Sequence, residues 1–406
     1  MNRLPLPEVT SKVLAVKLTA KGERSVRSGH PWIFSESVAK VNKTGAAGDI
    51  AIIFSQSKNK TLGVGLYDPD SPIRIKMVHH DGGATLDEHF FREKISRAFA
   101  LRAELLATKT NSYRFIFGEN DGFPGLIADV YDTVLVLKLY SAIWLPFLAT
   151  ITEILIEIST VETVVLRLSR SLQKQQDFPL QDGTVIFGTL EDETIVFQEH
   201  GVYFSANVIK GHKTGYFLDH RNNRKRVGEL SKDKTVLDVF SYAGGFSVHA
   251  LANGAKEVTS LDISEQALEL AKENGTLNKS SGIHRTIAGD AFEVMKQLIN
   301  EQKRFDVVVI DPPSFAKRQK EIPMAEKKYA QLAKLGEKLT ANNGLLVLAS
   351  CSARIPAQDF FDINKEALKK QNRQFSIQDL TGHDIDHPIT FKEGAYLKCG
   401  YYRFRD

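Results

Sequence analysis

From about residue 194 onward the chain alternates short apolar runs with amphipathic stretches, and this limits its fold more than any other feature. TVLDVFS, EVTSLDIS, FDVVVIDPP and GLLVLASCS read as near-continuous apolar strands, with HRTIAGD as a weaker one. Strands of this kind are buried on both faces of their sheet. EQALELAKENGTLN and AQDFFDINKEALKKQ carry apolar residues at helical spacing. A sheet buried on both faces needs helices on both faces, so the expected fold is α/β, with a doubly wound parallel sheet. FSIQDL and AYLKCGYYRF close this region.

The earlier sequence has a different texture. VLAVKL, GDIAIIFS and TLGVGLYDPDSPIRIKMV are short strands broken by turn residues, which indicates a β-rich module over residues 1–79. Residues 80–193 combine a helix from about Asp87 to Ala107, a second over about Leu145–Ile158, and several strands. They read as a central α+β domain. Residues 194–406 form the α/β domain, opened by the hairpin IVFQEHGVYFSANVI and by KGHKTGYFLDHRNNRKRVGEL, a loop running into a basic helix.

Net charge is only +4, but its distribution is uneven. Residues 1–30 hold six basic side chains, Arg3 among them, against two acidic ones, and residues 210–234 hold eight against three. Two basic surfaces fit a polyanionic partner, with Arg24 and Arg27 in the first and Lys213 and Arg221 in the second as phosphate contacts. The two cysteines exclude a disulfide framework and fit the reducing cytoplasm. The start, MNRLPLPEVTSK, lacks the apolar core of a signal peptide. No run of about 18 apolar residues is visible, so no membrane span is expected. No metal is expected either, and a homodimer is compatible with the composition.

Ligands of doubly wound sheets bind beyond the carboxyl ends of the strands, at the switch point. The first turn, DVFSYAGGFSVHA, lacks a strict G-x-G-x-x-G, although Gly244 and Gly245 permit close backbone approach. Asp262 ends the second strand, 24 residues after Asp238, where dinucleotide folds hold a ribose. Asp290 ends the third strand, placed to meet an adenine edge. A ribose acid without a pyrophosphate cradle suits S-adenosyl-L-methionine, whose cationic groups match Asp238. Phe240, Ser241, Ile263, Ala291 and Pro312, with Phe217 and Asp219 of KTGYFLDHR, are the expected cofactor neighbours. Any one of these acids could be a helix N-cap; acids at three successive strand ends indicate a site.

Asp311-Pro312-Pro313-Ser314-Phe315 follows the fourth strand, and Cys351 follows the fifth, 40 residues after Asp311. Proline restrains the residue before it to an extended conformation, which projects Asp311 over the cleft. Pro313 and Phe315 then flank a planar base. A thiol chooses between chemistries. Carbon 5 of cytosine is a poor nucleophile, but thiolate addition at carbon 6 converts the ring to an enamine that can accept a methyl group at carbon 5. Asp311 would bond ring nitrogen 3 and the amino edge. The thiol pKa is expected to be lowered by Arg354, Lys317 and the cofactor sulfonium. Cys399 and the His30-Pro31-Trp32 segment read as packing, and His387-Pro388 as an ordinary turn.

HPWIF, GENDGFPGL, KTGYFLDHRNNR, VLDVFSYAGGFSVHA, DPPSFAKRQK, LLVLASCS and DHPITFKEGAYLKCGYYRF together resemble the RlmI-type 23S ribosomal RNA (cytosine-5)-methyltransferases over nearly the whole chain. The resemblance implies an N-terminal PUA RNA-binding module, a central mixed domain and a C-terminal class I methyltransferase. It implies S-adenosyl-L-methionine as donor and large-subunit ribosomal RNA as substrate, with Cys351 as nucleophile and Asp311 orienting the cytosine. Many cytosine-5 RNA methyltransferases carry a second cysteine after the proline of the DPP-like motif. Pro313 stands there in this chain, which leaves the base that removes the carbon 5 proton unassigned. The methyltransferase half also resembles enzymes making 7-methylguanine, but those have no thiol in the later motif. A small-molecule oxidoreductase and a non-catalytic RNA-binding assembly protein are the competing classes; the missing G-x-G-x-x-G and the DPPSF turn count against the former.

Overall fold

The computed structural model describes residues 4–57 and 60–405, so Arg3 of the first basic cluster lies outside the described residues. The chain forms two compact units. The first comprises Met1–Phe197, Ser205–Leu218 and Ile385–Lys392, and the second Gln198–Phe204, Asp219–Asp384 and Glu393–Asp406.

The first unit contains two sheets. One has six strands in the order Trp32–Phe34, Ile73–His80, Thr61–Tyr67, Ile50–Phe54, Val13–Leu18, Val38–Val41. Alternate apolar residues, among them Leu14, Val16, Ala51, Ile53 and Ile75, form its core. Gly63 allows the tight pairing of two strands there, since a Cβ would lie 2.5 Å from the His79 carbonyl oxygen. The other sheet has five strands, in the order Thr184–Phe187, Thr163–Leu168, Val134–Leu139, Leu126–Tyr131, Ser112–Phe117. Helices Glu88–Leu101 and Leu148–Ser159 pack on each other beside it.

Two expectations change here. The helix expected to run from Asp87 to Ala107 breaks at Arg102, whose fully buried guanidinium pairs with Asp121 at 2.6 Å. The sequence also holds an 18-residue helical stretch, Ala142–Ser159, apolar and long enough to cross a membrane, with mean hydropathy 1.6. Its scattered Thr152, Glu153 and Glu157 hid it from a search for an unbroken apolar run. Ile143, Trp144, Leu148, Ile151 and Leu155 of this stretch sit fully buried in the unit's core, as in the core helix of a globular domain.

The second unit is built on seven strands in the order Ile283–Ala288, Glu257–Asp262, Thr235–Val239, Phe305–Ile310, Thr340–Ser350, Lys398–Arg405, Gln374–Thr381. The first five run parallel, as their apolar sequences predict. Lys398–Arg405 lies between Thr340–Ser350 and Gln374–Thr381 and is antiparallel to both. Helices Gly245–Ala252, Glu265–Thr276, Ala291–Asn300, Ile322–Leu339 and Ala357–Lys369 cover the sheet. Strand order reverses between Thr235–Val239 and Phe305–Ile310, which creates the switch-point crevice where doubly wound sheets bind ligands.

Candidate active site

At the end of Thr235–Val239 the loop backbone is left-handed at Phe240 (φ 63°), Tyr242 (φ 47°) and Gly244 (φ 75°). Such strain in non-glycine residues collects at functional sites, where surrounding structure enforces it. Here the enforcement comes from the neighbouring strand. Ser241 N–H donates to the Leu261 carbonyl at 3.0 Å, and Tyr242 N–H to Asp262 Oδ2 at 2.9 Å. A side chain at Gly244 is excluded twice, by its φ and by Ala271, whose Cβ would lie 2.8 Å from an added Cβ.

Asp238 is buried beneath this loop. Its Oδ2 accepts from the Ser247 N–H at 3.0 Å and from the Ser247 hydroxyl at 2.7 Å. Its Oδ1 has no hydrogen-bond partner from the protein. Burial, only partly offset by Ser247, pushes the carboxyl up to about 7. Asp262 also accepts from Ser264 N–H, and the adjacent Ile263 is 75% exposed, an apolar surface suited to the face of a planar base. Asp290 is an N-cap: its Oδ1 accepts from the amides of Phe292 and Glu293 at 2.9 and 3.2 Å. Ala291 is the first, buried residue of that helix. A half-satisfied buried carboxylate, a second acid one strand away and a loop with no room for a side chain at Gly244 fit the amino group and ribose of S-adenosylmethionine.

A second cluster adjoins it, since the Asp311 and Asp262 carboxylates both bear on Asp238. Asp311 is held at the sheet end through its N–H to the Val239 carbonyl, 3.3 Å. His220 Nε2 lies 3.5 Å from Asp311 Oδ1. Thr381 and Tyr401 hydroxyls occupy Asn223 Oδ1, so the Asn223 amide N–H faces His220 Nδ1 at 3.1 Å, while Nε2 stands near Asp311 without a hydrogen bond. Burial opposes a charge on His220, but Asp311 outweighs it and raises the imidazole pKa. Asp219 Oδ2 accepts from the Tyr396 hydroxyl at 2.8 Å.

Cys351 is partly exposed, with its Sγ 4.0 Å from the Pro312 carbonyl oxygen. From the protein's own groups the expected lowering of its pKa by Arg354 and Lys317 does not follow. Burial, with the Asp311 and Asp219 carboxylates, pushes the thiol up to about 12, and the opposing cation is Lys398. Arg354 donates instead to the Lys317 carbonyl, and both side chains are exposed. Pro313 is exposed, while Phe315 packs against Tyr329 at 5.2 Å with Lys328 over its ring.

The second basic cluster is also corrected. Arg221 is fully buried and pairs with Asp384 at 3.3 Å, so it is an internal charge and not a phosphate contact. Arg224 is likewise buried, against Glu199 at 2.6 Å, and Arg226 pairs with Asp379. Lys213 and Phe217 are exposed and belong to the first unit, as do the exposed Arg24 and Arg27, the latter paired with Glu23 at 2.7 Å. His387 is buried in the first unit, 2.8 Å from Asp386 and packed on Phe117. His220, Tyr396 and Lys398 escaped the sequence reading. For Lys398 the visible signal was a lysine inside an otherwise apolar strand; the other two had none of comparable strength.

Residues 114–375 match the family described as S-adenosylmethionine-dependent methyltransferase, and residues 16–80 match a PUA-like domain. The chain belongs to that methyltransferase family, and within it to the RlmI type. Its cofactor is therefore S-adenosylmethionine. A relative from Deinococcus radiodurans named ribosomal RNA large subunit methyltransferase is 39% identical over 97% of this chain and 98% of its own length. One from Alteromonas mediterranea named ribosomal RNA large subunit methyltransferase I is 32% identical over 94% of this chain and 97% of its own length. A solved structure described as a SAM-dependent methyltransferase from Streptococcus mutans has the same fold, with a TM-score of 0.79 over 96% of this chain and 99% of its own, at 20% identity.

Proposed function

We propose that this protein methylates carbon 5 of a cytosine in large-subunit ribosomal RNA through a covalent adduct on Cys351. The ribosomal RNA substrate is inferred from the names of relatives that match it end to end. The observation that carries the cytosine reading is a partly exposed thiol 4.0 Å from the DPP backbone, beside the Asp311 carboxylate. Cofactor, when bound, supplies a methyl group on a sulfonium and leaves with the sulfur's restored lone pair. Asp238 and Asp262 would hold it.

Cys351 loses its proton to water, and the sulfur lone pair forms a bond to carbon 6 of the base. That addition breaks the ring double bond and places electron density on carbon 5. Asp311 orients the ring by accepting from its exocyclic amino group, with His220 Nε2 3.5 Å from the carboxylate. After methylation a base removes the carbon 5 proton, the double bond re-forms, and the thiolate leaves.

A transcript containing 5-fluorocytidine cannot lose a proton at carbon 5 and should stay bonded to Cys351. Cys351→Ala should abolish methylation by at least about a thousandfold while cofactor affinity changes less than about twofold, the range expected when a nucleophile is removed from a preorganised site. Absence of the adduct at full cofactor occupancy defeats the proposal. Retained guanine-N7 methylation in the alanine variant would support that alternative product.

A further inference from the structure

Lys398 is a buried titratable group that the mechanism above leaves unused. It stands opposite Ser350 in the antiparallel pairing of Lys398–Arg405 with Thr340–Ser350, one residue before Cys351. Its side chain does not emerge into solvent; the residue is 2% exposed. Nζ donates to the carbonyls of Ser352, of Ile355 at 2.7 Å and of Tyr396 at 3.0 Å. Two of those carbonyls belong to the turn that Cys351 begins.

Three carbonyl acceptors match the three protons of an ammonium. A neutral amine has only two and would turn its lone pair on a carbonyl oxygen. The arrangement therefore selects the charged form, even though burial brings the Lys398 pKa down to about 8. No carboxylate of the protein is paired with this ammonium among the described residues. A buried cation without a carboxylate is unfavourable unless a developing anion is near. The groups bearing on the Cys351 sulfur are the Asp311 and Asp219 carboxylates, which oppose a thiolate, and Lys398, which favours it. Tyr329, from the helix packed beneath, bonds the Ser350 hydroxyl at 2.8 Å.

We propose that Lys398 is a positioning residue that fixes the Cys351 turn and supplies the positive charge against which the thiolate forms. Below about pH 8 it is charged and does not accept the thiol proton, which leaves to water. The inference rests on Cys351 as the nucleophile. It is separable from the cytosine assignment because it can be tested without RNA.

The test is the rate at which iodoacetamide alkylates Cys351 in the full-length protein between pH 6 and 10, read by mass spectrometry of the Cys351 peptide, with Cys351→Ser as blank. Cys399 is fully buried and stays silent. Lys398→Gln retains amide donors for the carbonyls but no charge, and Lys398→Arg retains charge. At pH 8 the Gln variant should react at least about tenfold more slowly, as a tenfold smaller thiolate fraction requires, and the Arg variant within about threefold of wild type. Equal rates in wild type and Gln variant overturn the proposal. So does equal slowing in both variants, which would make Lys398 only a clamp. Should neither variant fold, the wild-type protein decides: its log rate should bend below unit slope above about pH 8, as the ammonium discharges, and a straight line to pH 10 refutes the role.

Discussion

Asp238→Asn separates the charge of this buried carboxyl from its shape. The asparagine oxygen can still accept from the Ser247 amide and hydroxyl, but the side chain no longer titrates. In the folded protein burial places the wild-type carboxyl at about 7, against roughly 4 in an unfolded chain. A folded pKa above the unfolded value means that stability is fully present below about pH 4 and is lost as pH rises to about 7. That difference corresponds to an upper bound of about 4 kcal/mol, of which roughly 2–3 kcal/mol falls between pH 5 and pH 8. Thermal melts without cofactor should therefore show Asp238→Asn gaining on wild type by about 5–10 °C between those pH values, at roughly 2–4 °C per kcal/mol for a unit of this size. The same substitution should weaken S-adenosylmethionine binding about 10–100-fold, the loss of one charge-assisted hydrogen bond to its amino group. Wild-type affinity should rise with pH through about 7 and the variant's should not. An equal stability difference at pH 5 and pH 8, or unchanged cofactor affinity, would refute the reasoning.

Three further substitutions probe the framework around the site. Arg221→Ala leaves Asp384 buried without its guanidinium partner and should cost about 3–5 kcal/mol in urea unfolding, while the salt dependence of RNA binding stays as in wild type. Burial disfavours the Glu199 carboxylate, yet Arg224 and His249 hold its pKa well below the usual range. Its stabilisation is present above about pH 4.5 and lost on acidification, so Glu199→Gln should be markedly less stable than wild type at pH 7 and approach it in acid melts. Gly244→Ala meets both a left-handed φ and the Ala271 Cβ; about 2–4 kcal/mol of destabilisation and a loss of cofactor affinity are expected by calorimetry.

The sequence exposed those parts of the molecule that are written locally. Apolar strands buried on both faces announced the parallel sheet, and acids at their ends marked the crevice, because the chain direction alone brings those ends together. Asp238 and Asp262 lie together at the left-handed loop of the crevice; Asp290 shows its capping role, which the same pattern allows. What stayed hidden depends on partners far along the chain. Arg221 looks solvated within a basic run, and its burial follows from Asp384, 163 residues away. Lys398 resembles an incidental lysine in a strand, because its acceptors at Ser352 and Ile355 lie 46 and 43 residues earlier. The thiol was expected to sit among cations because Lys317 and Arg354 are near in sequence. Their side chains stand in solvent, and the buried surroundings with two carboxylates push the pKa the other way.

The strand Lys398–Arg405 is inserted one place in from the edge of the seven-stranded sheet, although it is made after every other strand in it. Until it is made, Thr340–Ser350 ends the sheet with an open edge and Gln374–Thr381 has no strand to pair with. A nascent chain in that state carries an unfilled sheet edge that can capture the wrong segment or another molecule. Docking of residues 398–405 closes that edge and brings Lys398 onto the carbonyls of the turn after Cys351.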